Sequence, residues 1–205
     1  MPRTRSASAH RKVLYAALEL VAERGIDGTS MNAVARESGV SKATIYKHWP
    51  DKDALLLEMM AEVTGVHARP AFDSGNTRAD MVAVLSYRPL ENAEMQARIG
   101  RHFVSYSASN PEFGHAWLNL VMEPPRRELR HLMKLGIKKG ELNPELDIDL
   151  SLSLLLGPML YWHVFLRKTS ENPLSLAEGV VDAFWRAFGL KTRASKRRPV
   201  SAKGA

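Results

Sequence analysis

A run of hydrogen-bond donors without any carboxylate lies near the N-terminus of this 205-residue sequence. No acid occurs between Ser41 and Pro50, and the side chains of Ser41, Lys42, Thr44, Lys47 and His48 are all hydrogen-bond donors. A helix that faces a phosphate backbone needs such a composition, because an inward carboxylate would be repelled. Solvated helix faces usually mix acids with bases. The run therefore indicates binding to a polyanion.

Two short helices joined by a tight turn are predicted to position this run. Ala35 is small enough to let two helix backbones cross closely, and Gly39 tolerates the positive φ that a sharp turn needs. Ile45 lies six residues after the glycine and can pack the second helix onto the first. This spacing is typical of a helix-turn-helix over about residues 29–49, and an ordinary helical hairpin is the alternative.

The remaining chain also reads as helical. Apolar residues recur at helical spacing, and clusters of Gly, Asn and Pro separate the segments. Beyond the motif, the predicted helices cover residues 8–24, a fourth helix opening at Asp51, and residues 78–88, 91–109, 112–122, 125–139, 147–168 and 174–189. The sequence shows no alternating strand pattern. We therefore expect an all-α protein, with an N-terminal three-helix DNA-binding domain followed by a larger helical domain.

Charge is distributed unevenly along the chain. Residues 1–52 hold nine Lys and Arg against five Asp and Glu, residues 53–190 hold fourteen against seventeen, and residues 191–205 hold six against none. Basic ends around a mildly acidic body favour a polyanion partner for the ends only. The last fifteen residues have nothing to bury, so they are expected to be a disordered tail.

Several classes of function are excluded or disfavoured. The chain has no cysteine, which rules out disulfides and thiolate chemistry. It has no phosphate-binding loop, nucleophile elbow, metal-ligand helix motif or paired catalytic carboxylates, so we expect no enzyme activity, no metal and no cofactor. Asp51 and Asp53 fit a helix N-terminus better than a metal site with His48. The charged start without an apolar stretch predicts a cytoplasmic protein.

Residues 25–56 resemble the DNA-binding domain of the TetR/AcrR family of bacterial regulators. The matching landmarks are Gly25, Thr29, Val34-Ala35, Gly39-Val40-Ser41, Ile45-Tyr46, the aromatic Trp49, Lys52 and Leu55-Leu56. Two positions depart from the family pattern: Ile26 replaces an aromatic residue and Trp49 replaces phenylalanine. Both are packing positions, so neither departure affects the expectation of DNA binding.

The resemblance implies roles for individual residues. Lys42, Ala43 and Thr44 would face base edges in the major groove, and Tyr46, His48 and Lys52 would hold phosphates. With Ser41 and Lys47, these residues form the predicted contact set for double-stranded DNA. Tyr46 could instead be structural, and His48 or Lys52 could be ordinary surface residues.

The segment 147–168 is apolar nearly all round. A membrane span is the first alternative, but Gly157-Pro158 interrupts the run, which is shorter than the roughly 20 residues that a bilayer requires. A helix buried on several sides needs neighbours all around it. We therefore expect a homodimer in which two helices from each subunit form a four-helix bundle, as the resembling family dimerises. The predicted interface residues are Leu160, Val164, Val181, Phe184 and Phe188.

Large, adaptable side chains are frequent in the body of the chain. The resemblance implies a small-molecule pocket there, between the fourth helix and the dimer helices, although such residues are more often simple core. The candidate lining residues are Met59, Val63, His67, Met95, Phe103, Tyr106, Trp117, Met122, Met159 and Trp162. The sequence thus predicts three regions: a DNA-binding domain at residues 7–52, a ligand-binding and dimerisation domain at residues 53–190, and the basic tail.

The expected function is that of a dimeric repressor that a small-molecule effector releases from a palindromic operator. The alternative is a regulator or architectural protein that binds DNA without any effector. A filled core in the body would favour that alternative.

Overall fold

A computed structural model describes residues 3–89, 93–162, 165 and 173–190, without the side chains of residues 3–6, 93–97 and 173. Within these ranges the chain forms helices and no strand, which confirms the predicted all-α class. The helices are α1 (Arg3–Arg24), α2 (Met31–Ser38), α3 (Lys42–His48), α4 (Lys52–Thr64), α5 (Thr77–Ser86), α6 (Ala93–Ser109), α7 (Pro111–Trp117), α8 (Glu123–Lys138), α9 (Ile148–Tyr161) and α10 (Pro173–Phe188).

Helices α2 and α3 begin and end where local chemistry predicts. The side chain of Ser30 accepts the backbone N–H of Ala33 at 3.2 Å and so caps α2. Gly39 ends α2 with φ of 67°, a left-handed conformation that costs glycine little. Ser41 caps α3 at its N-terminus, Trp49 is its C-cap, and Pro50 follows directly. The short-range signals were thus sufficient to place both helices.

Two hydrophobic cores organise the chain. The first joins α1–α4 to α6, α7 and the following turn, through residues such as Val34, Ile45, Phe103 and Phe113. The second joins α5, α8, α9 and α10, with Met81, Leu129, Leu155 and Val181 among its buried members. The predicted DNA-binding domain, residues 7–52, therefore shares its core with helices of the predicted larger domain.

The helix continues where a break was expected at Pro124-Pro125. A π-helical turn, Leu118–Met122, links α7 to α8, and the backbone N–H of Glu123 bonds to the carbonyl of Leu118 five residues earlier. Proline has no N–H, and its ring clashes with the carbonyl four residues before it in an α-helix. The wider π turn and the position of both prolines in the first turn of α8 accommodate them.

The apolar helix α9 covers residues 148–161 of the predicted 147–168 segment. Asp147 caps it by accepting the backbone N–H groups of Asp149 and Leu150, both at 3.0 Å. In the part of the chain that the structure describes, no helix is both long enough and apolar enough to cross a membrane.

The C-terminal end of α10 is fastened to the turn after α8. The N–H of Leu190 donates to the carbonyl of Glu141 at 2.8 Å, and Leu142 pairs with Gly189 in an isolated bridge. The basic tail, residues 191–205, lies outside the described residues.

Candidate DNA-binding surface

Helix α3 presents nearly all of its side chains to solvent. Ile45 is 1% exposed and is the one buried residue of this seven-residue helix. The predicted contact residues on α3 and its cap are all exposed: Ser41, Lys42, Ala43, Thr44, Tyr46, Lys47 and His48. A single apolar anchor thus fastens α3 at its centre, and the donor-rich surface faces outward.

The N-terminus of α3 is internally ordered. The Oγ of Ser41 accepts the backbone N–H of Thr44 at 3.3 Å, and the two hydroxyl oxygens lie 2.9 Å apart. These contacts hold the Thr44 side chain beside the positive end of the helix dipole, where a phosphate or a base acceptor is favoured.

Lys52, predicted to hold a phosphate, already has partners within the chain. Its Nζ donates to the carbonyl of Ile26 at 3.2 Å and lies 5.2 Å from the ring centre of Tyr106. It therefore ties the turn after α1 to the start of α4. A phosphate contact by Lys52 stays a prediction, and it would have to share the ammonium with Ile26.

The start of α4 also contacts α6 through a half-buried hydrogen bond. Tyr106 donates its hydroxyl to Asp53 at 2.9 Å. Burial, this hydrogen bond and nearby carboxylates raise the pKa of Tyr106 to about 12, so the phenol stays protonated. Asp51, by contrast, caps α4 by accepting the N–H of Ala54 at 2.8 Å.

A second contact between α6 and the DNA-binding segment involves His102. Gly25 has φ of 74°, and a Cβ added there would lie 3.2 Å from Nδ1 of His102. Burial, with a smaller effect from Arg101, lowers the pKa of His102, which favours the neutral imidazole. Glycine is therefore favoured at position 25 by its backbone angle, and a Cβ there would also crowd the side chain of His102.

Two residues that the sequence did not single out lie behind the C-terminal end of α3. Glu58 on α4 accepts the indole N–H of Trp49, and its other carboxylate oxygen contacts Nε2 of His10 on α1. The sequence feature that could have indicated this contact is Trp49, which stands where the resembling family usually has phenylalanine. A buried indole N–H requires an acceptor, and phenylalanine does not.

The predicted pocket residues are distributed between the two cores. Met59, Val63 and Phe103 are buried in the first core, with Tyr106 and Trp117 packed against it. Met159 is buried in the second core, Met122 and Trp162 are half-buried, and His67 is exposed. The side chain of Met95 lies outside the described residues. The placement brings five candidates together around α4 and α6, whereas Met159 lies in the second core.

The predicted interface residues also separate. Val181 is fully buried and Phe184 is 5% exposed within their own chain, whereas Leu160 is 44% exposed and Phe188 is half-buried. Val164 lies outside the described residues. The open surface is instead a groove of about 540 Å³ between α9 and α10, lined by Leu154, Pro158, Ser175, Leu176, Gly179, Val180, Ala183, Phe184, Ala187 and Phe188. Of the predicted α10 residues, Val181 lies in the chain's own core, whereas Phe184 and Phe188 line this groove.

Two sequence profiles match this chain. Residues 13–59 match the profile described as "Bacterial regulatory proteins, tetR family". Residues 71–184, more than half of the chain, match the "Tetracyclin repressor-like, C-terminal domain".

Individual proteins are similar over most of the chain. The HTH-type transcriptional regulator YdeS of Bacillus subtilis is 28% identical, with 89% of this chain and 91% of YdeS covered. The HTH-type transcriptional repressor KstR2 of Rhodococcus jostii is 21% identical over 70% of this chain and 72% of KstR2. The structure of the regulator FadR from Bacillus subtilis in complex with stearoyl-CoA superposes with a TM-score of 0.63 at 18% identity, covering 84% of this chain and 95% of FadR. The chain therefore belongs to the TetR family of bacterial regulatory proteins, which are helix-turn-helix, DNA-binding transcriptional regulators.

Proposed function

We propose that the protein is a homodimeric repressor that binds a palindromic operator through α3 and leaves it when a small molecule binds the body. The observation that carries the DNA-binding part is the exposed, carboxylate-free surface of α3 around the buried Ile45. Such a surface can approach phosphates without repulsion and present side chains to the major groove.

In this proposal the two ends of the surface have different tasks. Lys42, Ala43 and Thr44 occupy the first turn of α3, and they read base edges. Tyr46, His48 and Lys52 contact phosphates and set the register of the protein on the duplex. Ser41 and Lys47 complete the contact set.

The α9–α10 groove supports the homodimer. Along α9 an apolar stripe is open to solvent, with Leu150, Leu154 and Tyr161 each about half exposed. Small residues on α10, Gly179, Ala183 and Ala187, line the facing side of the groove. A second copy related by a two-fold axis would cover both surfaces and build a four-helix bundle. Two α3 helices would then meet half-sites about one turn of DNA apart.

Release by an effector is supported by the connection between α4 and the body. Met59 and Val63 on α4 pack in one core with Phe103 on α6, and Asp53 at the start of α4 is bound by Tyr106. A ligand with different affinities for the free and DNA-bound forms would act through these contacts. The stearoyl-CoA held by FadR makes long-chain acyl-CoA the first compound to try.

The experiment introduces a carboxylate into α3 without weakening the helix. Thr44→Glu puts a glutamate three residues after the capping Ser41, which is the spacing of a capping box, so the helix should remain stable. A duplex selected by the wild type from random DNA serves as the operator. We expect Thr44→Glu to abolish operator binding in fluorescence anisotropy while its melting temperature stays unchanged. Ser153→Glu on the exposed side of α9 should bind normally, and equal binding by both variants would contradict the proposal.

One observation favours the ligand-independent alternative. Met59, Val63 and Phe103 are 0–3% exposed and packed within the first core, so an effector at these residues would have to displace side chains. If the protein is a ligand-independent regulator, no small molecule that binds the body will change its affinity for the operator. Selecting the operator and then titrating acyl-CoA compounds against the complex distinguishes the two functions.

A further inference from the structure

The carboxylate of Glu58 joins three elements of the DNA-binding segment. Its Oε2 accepts the indole N–H of Trp49, which ends α3, at 2.6 Å. Its Oε1 lies 2.6 Å from Nε2 of His10 on α1. One side chain of α4 thus contacts both α1 and the C-terminal end of α3.

Ring packing closes this cluster. The centres of His10 and Trp49 are 4.6 Å apart with planes inclined by 33°, and His48 lies 5.6 Å from Trp49 and 5.7 Å from His10. Trp49 itself is 2% exposed, so its N–H would be costly to bury without an acceptor. Glu58 supplies that acceptor, and a charged acceptor makes the stronger bond.

The C-terminal end of α3 is important because few buried residues attach this helix to the rest of the chain. Within the helix only Ile45 is buried, so Ile45 and Trp49 together determine how α3 is oriented. Lys42 and Thr44 lie at the opposite end, beyond the Ile45 anchor. A shift at Trp49 would therefore move the groups that meet base edges, while the proposed phosphate contacts outside the cluster, at Tyr46 and Lys52, would tolerate it.

We propose that Glu58 is a positioning residue for sequence-specific DNA recognition: it fixes the end of α3 by holding Trp49 and His10. The inference rests on the proposed function, in which α3 reads the operator. It extends that function to a residue on α4 whose effect on DNA passes through Trp49. Removing the carboxylate should therefore cost discrimination between sequences more than attraction to DNA.

A double-mutant cycle tests the proposal. Glu58→Leu, Trp49→Phe and the double variant are titrated by anisotropy against the operator selected by the wild type and against a scrambled duplex of equal length. Each single variant should lose about tenfold in operator affinity, equivalent to about 1.4 kcal/mol. The double variant should lose about as much as one single variant, because both remove the same bond. Affinity for the scrambled duplex should change by less than about twofold in all three, the range expected when phosphate contacts are retained.

Two further variants serve as controls. Glu62→Leu removes an exposed carboxylate one turn later on the same helix, so it shows what loss of charge alone does. Glu58→Gln keeps an oxygen that can accept the indole N–H and should recover part of the operator affinity. The emission of Trp49 gives an independent readout: Glu58→Leu should shift the spectrum in the wild-type background and leave it unchanged in the Trp49→Phe background.

The outcomes separate cleanly. Glu58→Leu behaving like Glu62→Leu, or losses at Glu58 and Trp49 that add, would overturn the inference. If Glu58→Leu does not fold, Trp49→Phe with Glu58→Gln decides, and full discrimination by Trp49→Phe overturns it. If the wild type selects no operator from random DNA, the proposed function is contradicted and this inference is contradicted with it. If the wild type selects an operator but Glu58→Leu discriminates between sequences as well as the wild type does, only this inference is overturned.

Discussion

The hydroxyl of Tyr106 on α6 donates to the carboxylate of Asp53, the second residue of α4, at 2.9 Å. Lys52, the first residue of α4, lies above the same ring and donates to the carbonyl of Ile26. Helix α6 therefore contacts the start of α4, a few residues after the end of α3.

Tyr106→Phe should lower the free energy of unfolding by about 1.5 kcal/mol, the usual contribution of a hydrogen bond to a charged group. The pKa of about 12 in the folded protein exceeds the ordinary value near 10, so the protonated phenol stabilises the fold. This contribution is complete below pH ~10 and is lost as the pH rises toward ~12. Denaturant unfolding of both proteins between pH 8 and 12 measures it, with Tyr15→Phe, an exposed tyrosine, as the control. A pH-independent difference would contradict the assignment.

Lys52→Ala and Lys42→Ala should affect DNA binding in different ways. Loss of a phosphate contact at Lys52 should weaken binding to operator and to scrambled DNA about equally. The slope of the logarithm of affinity against the logarithm of salt concentration should decrease in magnitude by about one. Loss of a base contact at Lys42 should relax sequence preference by ~1–3 kcal/mol. Salt titrations with both duplexes measure this.

Lys52→Ala should also lower the melting temperature, because its ammonium holds the carbonyl of Ile26. Lys47→Ala, which removes an exposed lysine of α3, should leave it unchanged. Identical DNA-binding profiles for Lys52→Ala and Lys42→Ala would show that the roles assigned to them are wrong.

Leu154→Arg with Ala183→Arg should convert the protein to monomers, since both residues line the α9–α10 groove and like charges would face each other across it. Operator affinity should then fall by at least about a hundredfold, because two linked half-sites become independent. Light scattering measures the mass. Ser153→Arg with Glu178→Arg, on exposed positions of the same helices outside the groove lining, should remain dimeric. A wild type that is monomeric in light scattering would contradict both the proposed homodimer and the proposed palindromic operator.

Val63→Trp should impair the response to an effector, because Val63 is 3% exposed in the core that α4 shares with α6. Overpacking there costs about 1–3 kcal/mol, so folding must be checked by thermal melting. The measurement is release of labelled operator by stearoyl-CoA, with Val84→Trp in the second core as the control. Equal release from both variants would place the effector away from α4.

Short-range chemistry was enough to predict the helix-turn-helix. Ser30, Gly39 and Ser41 act through hydrogen bonds and backbone angles within three residues of themselves, so their effects can be inferred without the fold. The spacing from Gly39 to Ile45 is likewise a property of one turn and one helix. The absence of acids from residues 41–50 is a matter of sequence alone.

Side-chain partners from distant segments could be decided only by the tertiary structure. Periodicity predicts an apolar stripe on a helix but does not say which neighbour covers that stripe. Val181 is buried in the second core and does not line the open groove between α9 and α10. Glu58 meets His10 across 48 residues of sequence, and Tyr106 meets Asp53 across 53. Such contacts depend on how α1, α4 and α6 pack together. That packing is a collective result of core burial, which no local pattern encodes.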